Sequence, residues 1–148
     1  MNKQYRFTVF TQNCTDVQTN SSNNRKIFKW RLNFGQILQQ DVEYKMNIES
    51  ISSFNLTGDN EKFSYGIIRC PNVMSKYFYD TDSTEYCPII FQGSLENFQN
   101  TSGNCFCYEV NPDIFNSDFT LVLDDVINDG IKDKFEVGVT FVLTEYRK

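Results

Sequence analysis

The sequence predicts an all-β fold: a two-sheet antiparallel sandwich, a single jelly roll of about eight strands forming one domain over residues 1–148. Three observations lead there. Apolar and polar side chains alternate with a period of two along several segments. Alanine, the best helix former, is absent, whereas 14 Phe, 8 Tyr and 16 Asn favour pleated strands and turns. The strand-like segments are joined by uneven, partly long connections, as crossings between two sheets require. An immunoglobulin-like sandwich is the runner-up. Its Cys, Trp, Cys order is incomplete here, because Cys14 and Trp30 lack a third partner and Cys70 precedes a proline.

Residues 5–10 form the first strand. Residues 13–24, rich in Thr, Gln, Ser and Asn, read as a loop. Phe28, Trp30, Leu32 and Phe34 alternate with Lys29, Arg31 and Asn33, giving a half-buried strand with a basic outer face. Residues 34–40 read as a short helical turn. Val42, Tyr44, Met46 and Ile48 alternate with Glu43, Lys45, Asn47 and Glu49; Ile51 and Phe54 then fall out of step, which a bulge near Ser50 explains. Residues 63–70 form a strand stopped by Pro71. A long aromatic and acidic loop over 72–86 and a short apolar strand over 88–92 follow. The segment 92–103 is polar, with a helical turn expected at 95–99. Residues 104–110 read as a strand closed by Asn111-Pro112-Asp113, with a short turn at 112–116. Residues 119–124 make a strand, and a turn surrounds Asn128-Asp129-Gly130. The closing strand, 135–143, alternates most regularly, with Phe135, Val137, Val139, Phe141 and Leu143 on one face.

The charge is net −5, which argues against a protein that coats nucleic acid or anionic membrane. Histidine is absent, which removes the commonest general base and metal ligand. No nucleophile elbow, phosphate-binding glycine loop or dinucleotide fingerprint occurs. The expectation is a protein that is not an enzyme and carries no cofactor. No secretory signal, lipidation motif or apolar run long enough to span a bilayer is read in the chain. The sequons at Asn13, Asn20, Asn55 and Asn100 are therefore taken as turn chemistry.

The five cysteines, Cys14, Cys70, Cys87, Cys105 and Cys107, suit reduced thiols. Their spacing lacks the two close pairs of zinc ribbons, so core packing is expected over a metal site. The run Asp80-Thr81-Asp82-Ser83-Thr84-Glu85 has oxygen ligands for calcium, but Glu85 stands where a calcium loop needs glycine; a solvated loop is expected. Asp124, Asp125 and Asp129 are read the same way. Glu43 and Glu49 lie on one alternating face, the pattern of a glycosidase carboxylate pair, yet Lys45 and Asn47 share it, as on an ordinary polar sheet face.

Arg25, Lys26, Lys29 and Arg31 surround Trp30, but Trp30 falls on the apolar face. A basic strand face without an exposed ring fits an acidic protein neighbour, including another copy of this chain, better than nucleic acid. A domain of this size is not expected to bury all of its 23 aromatic residues. Tyr77-Phe78-Tyr79, in a loop, is expected to be exposed, as interface aromatics are. Lys29, Arg31, Tyr77, Phe78 and Tyr79 are thus the candidate contact residues.

The succession of Phe28-Lys29-Trp30-Arg31-Leu32, Tyr44-Lys45-Met46-Asn47-Ile48 running to Ser52-Ser53-Phe54, Ile67-Ile68-Arg69-Cys70-Pro71-Asn72-Val73, Tyr79-Asp80-Thr81 and the closing strand covers most of residues 25–145. It resembles the small single jelly-roll virion proteins of large icosahedral double-stranded DNA viruses and their smaller relatives. Cys70-Pro71-Asn72 with Tyr79-Asp80-Thr81 is the most specific part of the likeness. The resemblance implies no catalytic residues. It implies a minor capsid or vertex (penton) component, or a cement between capsomers, localised to the virion and assembled in the host cytoplasm. The implied partners are the major capsid protein and copies of the chain, as homo- or hetero-oligomers, with no nucleic acid and no membrane span. A carbohydrate- or receptor-binding lectin-like sandwich is the alternative.

Overall fold

A computed structural model describes residues 3–20, 25–55, 66–74, 88–95, 97–100, 107–125 and 135–146. Among these are ten strands: β1 (Gln4–Phe10), β2 (Asp16–Asn20), β3 (Arg25–Trp30), β4 (Glu43–Asn55), β5 (Gly66–Arg69), β6 (Ile89–Gly93), β7 (Asn97–Gln99), β8 (Tyr108–Glu109), β9 (Phe119–Asp125) and β10 (Phe135–Tyr146). One sheet has the order β1-β10-β4-β7, with β8 also paired to β4; the other has the order β2-β3-β9-β5-β6. Every pairing is antiparallel.

The pairs are nested. Outermost is β1 with β10, then β3 with β9, then β4 with β7 and β8, and innermost β5 with β6. A long hairpin with its tip between β5 and β6, rolled so that successive pairs fall in opposite sheets, produces this order, which is a jelly roll. The pairings of β10 with β4 and of β9 with β5 complete the two sheets. Eight strand positions make the roll, because β7 and β8 both lie against β4, and β2 adds a rim strand outside it.

Alternation places the core as the sequence predicts. Phe28 and Trp30 from β3, Tyr44, Met46 and Ile48 from β4, and Val137, Val139, Phe141 and Leu143 from β10 are all buried. The slip in β4 is a bulge. Thr140 faces Ser50 while Phe141 faces Ile48, so Glu49 is the extra residue. Ile48 and Ile51, three apart, therefore both enter the core. Short 3-10 turns occur at Phe34–Gln36 and Pro112–Phe115, inside two of the three segments expected to form helical turns. Asn111 caps the second, its side-chain oxygen accepting from the Asp113 N–H at 3.3 Å.

Three expectations are corrected. The loop expected over 13–24 contains β2, paired with β3 from Asp16↔Lys29 to Asn20↔Arg25. The helical turn expected at 95–99 is instead β7, paired with β4. Both are short rim strands, of five and three residues, too short for apolar alternation to mark them. The strand expected to reach Phe34 ends at Trp30, and Phe34 is buried from a 3-10 turn. Of the strand expected over 104–110, residues 104–106 lie outside the described residues, and Tyr108–Glu109 pairs with β4.

Gly66 is required by a close approach. A Cβ there would run into the Leu95 side chain and stand 2.9 Å from the Asp124 carbonyl. Leu95 is itself fully buried and has no room to retreat. Gly66→Ala is expected to cost about 1–3 kcal/mol by overpacking, read as a lower urea midpoint with an unchanged slope.

Candidate interaction surfaces

Lys29 is half-buried on β3 and stands opposite Asp16 of β2 and Thr120 of β9. Arg31 follows the strand end. Its backbone N–H donates to Thr15 Oγ1 at 3.1 Å, and its guanidinium lies 3.9 Å from the Asp118 carboxylate. Each basic residue therefore has an acid of its own chain beside it, which weakens the field that the sequence suggests. The Arg31 side chain is 81% exposed, so its pair with Asp118 is loose and an acidic partner can displace it at little cost. Tyr77, Phe78 and Tyr79 lie outside the described residues, as do the run 80–85, Cys87, Cys105 and Asp129.

Among the described residues no group of three or more His, Cys, Asp or Glu side chains could hold a metal ion. Cys70, just after β5, is buried in the core with its thiol 3.8 Å from Asn72 Oδ1. Glu43 and Glu49 do not form a working carboxylate pair. Six positions along one strand separate them by about 20 Å, against about 5–9.5 Å in glycosidases. Glu49 is instead held by Arg6 of β1, whose Nε donates to both carboxylate oxygens at 3.1 and 3.0 Å.

The Cys70-Pro71-Asn72 segment joins the end of β5 to the entry of β9. Asn72 is buried; its amide oxygen accepts from the Thr120 N–H at 2.8 Å, and its Nδ2 donates to the Asp118 carbonyl at 3.1 Å. Its backbone carbonyl accepts from the Asn111 N–H at 2.8 Å. The most specific stretch of the sequence is thus a structural staple.

The surface that sequence reasoning missed is the side where the rims of both sheets, β1 and β2, meet around the 3-10 turn Thr11–Asn13. Trp30 Nε1 donates to the Phe10 carbonyl at 3.0 Å across this corner. Thr11 Oγ1 donates to the Glu136 carboxylate and accepts from the Val137 N–H at 2.9 Å. Two apolar side chains remain open beside it, Phe10 at 39% and Val17 at 49% exposure. On the outward face of the first sheet Thr8 and Thr140 share a hydrogen bond of 2.8 Å, and Lys45 Nζ lies 4.0 Å from the centre of the Tyr146 ring.

Three acids of the sandwich are held neutral to high pH. Burial pushes the Cys14 thiol up, and the Glu136 carboxylate adds to it. Burial likewise raises the Tyr108 phenol. For Tyr44 burial again dominates, opposed by the Gln39 backbone N–H and reinforced by Tyr5, Glu145 and Asp41. Below the ordinary values of 9.0 and 10.0 both folded and unfolded chains are protonated, so this stabilisation is complete. Above them the unfolded chain ionises first, and stability is lost as pH climbs through the raised values. The melting temperature is expected to fall on the alkaline side of about pH 9, and Tyr108→Phe to lessen the fall.

Comparison with known proteins finds no matching family model, no similar curated protein and no similar solved structure.

Proposed function

We propose that the chain is a structural virion protein, a minor capsid or vertex (penton) component that packs against the major capsid protein and against copies of itself. The observation that carries this reading is the nested jelly-roll pairing from β1 with β10 to β5 with β6, an architecture used by viral shell subunits. The resemblance over residues 25–145 supports it. The work of such a subunit is adhesion. Rigid sheets hold loops and rims at fixed positions, and neighbouring chains bury them over about 800 Å² per partner. Lys29 on the face of β3, Arg31 just past its end, and Tyr77, Phe78 and Tyr79 are the residues proposed to meet those neighbours.

Mass spectrometry of purified particles, followed by electron cryomicroscopy, tests the reading. The chain is expected at a fixed ratio to the major shell protein, with density for one sandwich per copy. Its absence from particles would overturn the proposal. Lectin domains share the architecture, so a glycan array gives the opposing arm. Glycan binding that falls with Tyr77→Ala or Tyr79→Ala would replace the virion reading with a carbohydrate-binding one.

A further inference from the structure

We infer that β1 is a self-pairing rim: two copies of the chain join antiparallel through Tyr5 to Val9, about a two-fold axis at Phe7, into one sheet continuous across the dimer. This is a property of the isolated chain and goes beyond the virion reading. The four rims differ in how they resist such pairing. β6 is kinked by a bulge, since Ile68 faces Phe91 while Arg69 faces Ile89 and leaves Ile90 extra, and Pro88 precedes it. The opposite rim of the first sheet is broken into β7 and β8, of three and two residues. β2 begins with a charge, Asp16, and Val17, its residue opposite the buried Phe28, is 49% exposed. Breaks, bulges, prolines and charges are the devices that keep sheet edges apart.

β1 has no break, bulge or proline. Its register to β10 runs unbroken from Gln4↔Thr144 to Phe10↔Gly138. It holds no proline, glycine or lysine, and its one charge, Arg6, is tied down by Glu49. Among the described residues its hydrogen bonds run to β10, to side chains of its own sheet and, through the Phe10 carbonyl, to Trp30; the other rim of Gln4 to Val9 takes no part in them. Its inward side chains are already core: Val9 is buried, and Phe7 stacks on Phe141 at 5.1 Å between ring centres.

Phe7 is the middle residue of Gln4–Phe10, so an axis there gives the longest overlap. Opposed residues in a sheet point to the same face, so a two-fold axis must sit on a residue. An axis at Arg6 would set two guanidinium groups against each other, which is repulsive. An axis at Phe7 sets Arg6 opposite Thr8 of the other copy, Tyr5 opposite Val9, and Phe7 opposite itself. That arrangement is apolar inward and sets no like charges directly opposite, and being isologous it closes as a dimer.

Sedimentation equilibrium of the full chain over micromolar concentrations is the test. The native chain is expected to be a dimer. Thr8→Lys places a like charge opposite Arg6 twice per dimer and is expected to weaken association about 2- to 30-fold, whereas Thr8→Glu is expected to tighten it by a similar factor. Gln18→Lys on β2 is expected to change nothing. Circular dichroism melts report whether each variant folds; should Thr8→Lys fail to fold, Thr8→Glu carries the test by its opposite sign. A strictly monomeric native chain, equal shifts for both Thr8 variants, or an equal response to Gln18→Lys would overturn the inference.

Discussion

Phe119→Ala is expected to remove about 3–5 kcal/mol of folding free energy, the usual cost of emptying a large aromatic site in a core. Phe119 is fully buried, and four rings surround it. Phe7 and Phe141 of the first sheet lie 5.2 and 5.3 Å away, and Phe34 and Trp30 lie 6.1 and 6.2 Å away, between ring centres. Phe119 belongs to β9 and its two nearest rings to β1 and β10, so the cavity would open between the sheets, where neither can collapse alone. Urea denaturation is the measurement, with Phe119→Leu as the milder companion. A loss under about 1 kcal/mol would mean that the aromatic cluster is not what joins the two layers.

The second large effect is expected at Asn72. Asn72→Ala orphans the buried Thr120 backbone N–H and removes one of two donors to the Asp118 carbonyl, the other being the Thr120 hydroxyl at 3.2 Å, and it should cost about 1–3 kcal/mol. Asn72→Asp separates the two contacts. A carboxylate still accepts from Thr120 but cannot donate to Asp118, and its charge is buried. Burial raises the carboxyl pKa in the folded state, so stability is lost as pH rises above the ordinary carboxylate range. Asn72→Asp should therefore approach the native stability in acid and fall behind it near neutrality. Equal deficits at both pH values would show that the donor to Asp118, not the buried charge, dominates.

How much of this was legible in the sequence depended on where each strand stands. β4 and β10 are flanked by strands on both sides, and their alternation gave the buried faces and even the slip at Glu49, because a bulge must shift the apolar register. β2 and β7 escaped notice because rim strands take their stability from ladder hydrogen bonds to β3 and β4, and backbone bonds leave no mark on residue type. The candidate site divides similarly. Lys29 and Arg31 were visible as a basic face, but Asp16 and Asp118 beside them come from distant parts of the chain.

Residue order alone determined that the chain is a sandwich: period-two side chains place one face of each strand in an apolar layer, and that is local chemistry. Only the folded structure decided which strands are neighbours, that Gly66 must yield to Leu95, that Asn72 ties β5 to β9, and that β1 ends its sheet among the described residues. Those features depend on contacts between residues far apart in sequence, and the partner each residue meets is fixed by how the long hairpin rolls.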